Sequence, residues 1–121
     1  MNFEQTVSSL LNIDGTVAAA IVDYESGMMF AGSTSLLDFD LETCAAGSTE
    51  VMRAKMKSVK MVGLQDSIED ILITLNKQYH LMRPLKAFDG LFFYTILEHS
   101  KSNLALARRA LIDAERDLDA A

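Results

Sequence analysis

The chain has 121 residues, half of them apolar, and a formal net charge of −6. That length fits one compact domain over residues 1–121, and the apolar share argues against disorder. The acidic balance disfavours nucleic acid and anionic membrane as partners, since both call for a basic surface. No apolar run approaches the ~18 residues of a membrane span, and the polar opening Met1–Thr6 carries no signal-peptide pattern. Cys44 is the sole cysteine, so no intrachain disulfide can form, and the expected setting is a reducing cytoplasm.

Phe3, Val7, Leu10 and Leu11 fall at helical spacing, with Asn2 as cap and Gln5 three residues on. A short first helix is predicted, broken by Asp14-Gly15. Val17–Asp23 and Met28–Ser33 flank the turn Tyr24–Gly27, a hairpin with Gly27 where positive φ is needed. Asp38 and Asp40 offer caps for a long helix from Leu41 to about Val62, closed by Gly63, with Glu42 and Lys60 placed to suit its dipole. Its apolar arc (Leu41, Cys44, Ala45, Ser48, Met52, Met56, Val59, Val62) is wide and in part small-sided. Contact on two sides follows, with close packing over Ala45–Ser48.

Three strands should come next, Ile68–Leu75, Gln78–Pro84 and Leu91–Glu98, joined by short turns and therefore antiparallel. Both faces of these strands are apolar, so helices should cover both sides of the sheet. Leu104, Ala107, Leu111, Ala114 and Leu118 step by three and four, predicting a terminal amphipathic helix. The order is α-β-β-α-β-β-β-α, an α+β fold with a five-stranded antiparallel sheet between helices.

Candidate chemistry is sparse. The glycines never approach a phosphate-cradling GxGxxG or GxxxxGK[ST] pattern. His80 and His99 lack metal-ligand spacing and read as structural or surface histidines, and Cys44 as a small core residue. No catalytic residue, cofactor or metal is expected. Glu69 and Asp70, adjacent on the expected strand, should face opposite sides and guard an edge. The acids Asp113, Glu115, Asp117 and Asp119 read as a solvated helix face. Arg53, Lys57 and Lys60 share one side of the second helix at i, i+4 and i+7, either as solvated charge or as a docking surface for an acidic partner. Lys55, at the edge of the apolar arc, should lay its stem along apolar surface or meet an acid across a subunit interface.

The runs Ala45–Lys55 (AAGSTEVMRAK), Asp66–Leu85 (DSIEDILITLNKQYHLMRPL) and Leu91–Leu111 (LFFYTILEHSKSNLALARRAL) resemble bacterial Roadblock/dynein light chain domains, and the likeness extends over nearly the whole chain. No single motif carries it; the combination does. The resemblance implies a profilin-like αβα sandwich with strand order 2-1-5-4-3, and a homodimer that joins two sheets and pairs the second helices. It also implies binding of a Ras-like GTPase, as in MglB-like members, without a nucleotide site in the domain itself. Ile68–Leu75 match the interface strand, and Cys44–Val59 match the paired, GTPase-facing helix. The dimer interface is thus expected at Ala45, Ser48, Met52, Ile71 and Ile73, and partner binding at Arg53, Lys57 and Lys60. A non-catalytic GTPase-regulating scaffold is the preferred reading. A small-ligand sensor of PAS or GAF type is the alternative, though such a sensor needs a roomy pocket with convergent polar groups.

Overall fold

The computed structural model describes residues 1–118; Asp119, part of the acidic run noted above, lies outside the described residues. The elements are α1 (Phe3–Leu11), β1 (Thr16–Asp23), β2 (Met29–Thr34), α2 (Leu41–Met61), β3 (Ile71–Thr74), β4 (Gln78–Pro84), β5 (Leu91–Glu98) and α3 (Leu104–Asp117), with a single 3-10 turn at His99–Lys101. All neighbouring strands pair antiparallel, in the spatial order β2-β1-β5-β4-β3. Element order, strand order and the two-sided helix cover are those expected of the profilin-like sandwich.

Local chemistry explains the element ends. The Asn2 side chain accepts from the Gln5 N–H at 2.8 Å while the Asn2 N–H donates to Gln5 Oε1 at 3.0 Å, a complete capping box. Gly15 ends the turn after α1 with φ +85°, and a Cβ there would meet the Lys101 carbonyl and Ser102. Its own carbonyl accepts from the Glu98 N–H at 2.7 Å, so the backbones come together only because no side chain intervenes. At α2 only Asp40 caps, accepting from the Thr43 N–H at 3.1 Å and the Thr43 hydroxyl at 2.6 Å. These two donors hold the Asp40 carboxyl below the usual range. Asp38, expected as a second cap, instead takes the left-handed backbone (φ +54°) that turns the chain into the helix.

The core has two halves, one on each side of the sheet. On one side α1 and α3 cover Ala19, Ile21, Leu81 and Phe93 with Val7, Leu10, Ala107 and Leu111. On the other, α2 sets Leu41, Ala45 and Met52 over Ala18, Ala20, Val22, Met82, Phe92 and Ile96. Three consecutive alanines of β1, each with no exposed surface, keep the central strand thin enough for helices on both faces. Burial of the larger side chains of this core, Val, Leu, Ile, Met and Phe, contributes about 1.5–3 kcal/mol each, before entropy is counted.

β3 is shorter than the sequence pattern suggests. Residues 68–70 leave the ladder because Glu69 and Asp70 are both drawn to cations. Glu69 meets Arg83 Nη1 at 3.2 Å and Lys86 Nζ at 3.0 Å, and Asp70 receives Arg108 Nε and Nη2 at 3.0 and 3.2 Å. The expectation of strand acids facing opposite sides therefore fails: both are ion-paired, and neither lies in the strand. Glu115 is likewise no solvated acid. Its carboxylate receives Arg83 Nε at 3.0 Å and the N–H groups of Lys86 and Ala87 at 2.7 and 3.2 Å. Arg83 and Glu115 are each about nine-tenths buried; an amphipathic pattern marks only which residues recur on a face, not which acid meets a buried guanidinium.

The close packing expected over Ala45–Ser48 holds for half of that stretch. Ala45 has no exposed surface and Ser48 almost none, whereas Ala46 is exposed and a Cβ on Gly47 would meet nothing within 4 Å. Ala45→Leu should overpack the α2–sheet contact and lower stability by about 1–3 kcal/mol. Gly47→Ala should raise it by about 0.5–1 kcal/mol through helix propensity. Thermal melts of both variants decide the matter, and an unchanged melt for Ala45→Leu would show that α2 does not press on the sheet there.

Candidate partner-binding face

A helix lying across a sheet has an inner stripe, two flanks and an outer back. In α2 the inner stripe is Leu41, Ala45, Ser48, Thr49 and Met52, all buried against the chain's own sheet. Three of the expected dimer-interface residues, Ala45, Ser48 and Met52, belong to this stripe. Packed inside the fold, they shape the surface of α2 but cannot themselves reach a second copy. Ile71 and Ile73, the other two, are half-buried on β3, an edge strand with one side of its ladder open.

The flank of α2 toward β3 carries Val51 and Lys55, which line a shallow hollow with Ile68, Asp70 and Ile71. Lys55 is exposed and, among the described residues, in no ion pair.

The opposite flank carries Arg53, Lys57 and Lys60. The structure brings these together on one wall of a cleft of about 760 Å³. Met56, Val59, Ile68, Pro84 and Leu85 supply apolar surface within it, and Lys86 adds a fourth cation. Glu25 in the β1–β2 turn, Asp66 in the connection after α2 and Asp89 in the β4–β5 turn line it as well. Arg53 is tethered only to Glu50, at 3.4 Å with both side chains well exposed, a contact of little energetic weight. Lys57 and Lys60 make no ion pair among the described residues. Tyr24 lines the same cleft, and burial followed by the nearby Asp89 charge pushes its hydroxyl above the usual phenol range. Of this convergence only the basic stripe was visible along the chain. Glu25, the pair Asp66 and Ser67, and the pair Lys86 and Asp89 come from three separate connections, and spacing along a chain says nothing about groups joined by folding.

A second polar group lies under α2. Tyr94 O–H donates to His80 Nδ1 at 2.8 Å, and His80 Nε2–H donates to Gln78 Oε1 at 3.0 Å. Ser48 and Cys44 reach the same phenol from α2, and burial pushes the Tyr94 hydroxyl up to about 12. His80 is held neutral by its surroundings, its pKa lowered by burial. His99 stacks on Tyr79 with ring centroids 4.2 Å apart. Both histidines thus have structural contacts, and the Cys44 thiol is partly exposed beside Tyr94, while both ring nitrogens of His80 are taken by Gln78 and Tyr94. Among the described residues no group of three or more His, Cys, Asp or Glu side chains gathers that could hold a metal ion, and no helix is long and apolar enough to cross a membrane.

A helix-covered antiparallel sheet of this order is the αβα sandwich of solved Roadblock/LC7 domains. The chain has that fold. It superposes on a Roadblock/LC7 domain from Streptomyces avermitilis with a TM-score of 0.81, 11% identity and coverage of 97% of this chain and 94% of the other. It is similar to MglB of Myxococcus xanthus, with a TM-score of 0.75, 13% identity and coverage of 95% and 86%, and to an MglB of tetrameric arrangement, with 0.78, 14%, 93% and 82%. No protein-family model matches the sequence, and no curated protein matches it.

The buried His80 carries a pH signature. Its folded pKa lies below the unfolded value of about 6.5, so the unfolded chain takes up the proton first as pH falls. Stability is then complete above about pH 6.5 and declines below it. The melting temperature should drop between about pH 6.5 and pH 5, and His80→Gln should flatten that slope. An equal slope in both proteins would show that His80 is not the titrating group.

Proposed function

We propose that the chain is a single domain over residues 1–121 that acts as a non-catalytic, homodimeric scaffold for a Ras-like small GTPase in the cytoplasm. The observation that carries this reading is the division of α2 into two unlike flanks. One adjoins an open apolar strand edge; the other presents a cationic wall in which Lys57 and Lys60 have no ion-pair partner among the described residues. An edge strand with unpaired N–H and C=O groups and half-buried isoleucines is a template for pairing, and a two-fold copy of itself closes it. On this reading Ile71 and Ile73 form the contact together with Val51 and Lys55, while Ala45, Ser48 and Met52 support it from within. The fold likeness to MglB agrees with such a scaffold, and the family resemblance supplies the GTPase as client. A sensor reading has less support, because the cleft is an open flank rather than an enclosed pocket.

Two outcomes check the proposal. Light scattering after size exclusion at micromolar concentration should give twice the chain mass, and Ile71→Pro should remove a ladder donor and break the dimer. A clean monomer for the unmodified chain would sink the dimer. The second check uses a Ras-like GTPase captured from the native host with this chain as bait, and recovery of none would end the docking role. Arg53→Glu with Lys57→Glu should slow association at low salt, with the defect shrinking as salt screens the charges. Stability should stay within about 0.5 kcal/mol, since both side chains are exposed. Association that is unaffected at low ionic strength would reduce the stripe to solvated charge.

A further inference from the structure

The cationic stripe is one wall of a cleft, and the chemistry of the whole cleft says more than the stripe does. Its floor is apolar: Met56, Val59, Ile68, Pro84 and Leu85 come from α2, the connection after it and the end of β4. Directly beyond Lys60 the chain exposes Met61, Val62 and Leu64, at 75%, 68% and 59% of their full surface. Three large apolar exposures within four residues at one helix end are a costly feature for a surface that meets only water. The charge is asymmetric as well. In a chain of net charge −6, Arg53, Lys57 and Lys60 stand together on one wall, and Lys57 and Lys60 have no acid partner among the described residues.

A flat acidic surface would satisfy the cations and leave the floor wet. A small anion would satisfy the cations and leave both the floor and the apolar ledge uncovered. A peptide segment that carries aliphatic or aromatic side chains between carboxylates satisfies all three. We propose that this cleft binds an acidic, apolar-anchored peptide segment of a protein partner, its apolar side chains on Met56, Ile68 and Leu85 and its carboxylates on Lys57 and Lys60. The proposal rests on the docking-scaffold reading and adds the chemistry of the segment that is docked. Glu25, Asp66 and Asp89 also line the cleft and repel a carboxylate placed beside them, so the acids of the segment line up on Lys57 and Lys60.

The test uses a phage-displayed library of random dodecapeptides selected on the immobilised full chain. Selection should enrich peptides with acidic residues flanking a pair of large apolar ones. A synthetic peptide of the winning sequence should bind in fluorescence anisotropy. Lys57→Glu with Lys60→Glu should raise its Kd by about tenfold or more. Ser67→Trp should do the same without altering charge, because Ser67 is exposed, lines the cleft and bonds Asp66 through its backbone N–H rather than its side chain. Melting curves of the variants confirm that they fold. No enrichment, or winners lacking acids, would overturn the proposal. So would binding that falls with the lysine reversals but survives Ser67→Trp, since it would be surface charge alone. Full displacement of the peptide by micromolar tripolyphosphate would assign the site to a small anion and overturn it too. Loss of this proposal with GTPase association still dependent on Arg53 and Lys57 would leave the scaffold reading standing. Peptide binding with no GTPase association would do the reverse.

Discussion

The two central strands are buried on both faces, and that constraint organises everything else. Ala18 to Val22 of β1 and Leu91 to Leu97 of β5 are buried without a break. A strand pair with no wet face has no stable existence as an open sheet, so helices must lie on both sides. Two helices share one face, and α2 alone serves the other. A helix is about 10–12 Å across with its side chains, whereas five strands at about 4.8 Å spacing span roughly 19 Å. One helix cannot cover that width. The uncovered margins are where the surface becomes unusual: a half-buried β3 edge on one flank, and a cleft with an apolar floor on the other.

The buried ion network decides how the β3 margin is presented. Arg83 projects from β4 on the α1–α3 side and is held by Glu115 from α3 and Glu69 from the connection before β3. A buried guanidinium without partners would be severely destabilising, so these acids serve to keep β4, α3 and the β3 approach in one arrangement. Lys86 extends the network to the exposed Glu69, whose carboxyl is held below the usual range by the hydrogen bonds from Lys86 and Arg83. Asp70 does the parallel task with Arg108 on α3. The cost is three residues of ladder, and the strand left behind is the short segment Ile71–Thr74.

The polar group beneath α2 has a different character. Gln78, His80 and Tyr94 form a chain of hydrogen bonds across adjacent strands, with Ser48 and Cys44 above it. Each buried donor there meets an acceptor, which is the condition for such groups to be tolerated in an apolar layer. His80 stands opposite Ile73 in the β3–β4 register. The interior of the α2 layer and the open edge are therefore separated by a single strand.

Much of this was legible in the sequence, because local physics is written locally. The capping box at Asn2 and Gln5, the turn at Gly27, the start of α2 after Asp40, and the periods of β4, β5 and α3 all depend on residues within a few positions of one another. The sheet's two-sided burial followed from strands apolar on both faces. The basic stripe was visible too, since i, i+4 and i+7 on a helix need no tertiary information. What tertiary structure alone decided was every partnership across the chain. Glu69, Asp70 and Glu115 read as edge or solvent acids until Arg83 and Arg108 arrived from 14, 38 and 32 residues away. Ala45, Ser48 and Met52 read as an interface because a wide apolar arc does not say which part faces the chain's own sheet. The cleft depends on three turns and a helix end meeting in space, and sequence spacing carries no record of that. Periodicity fixes which residues share a face; only packing determines what that face meets.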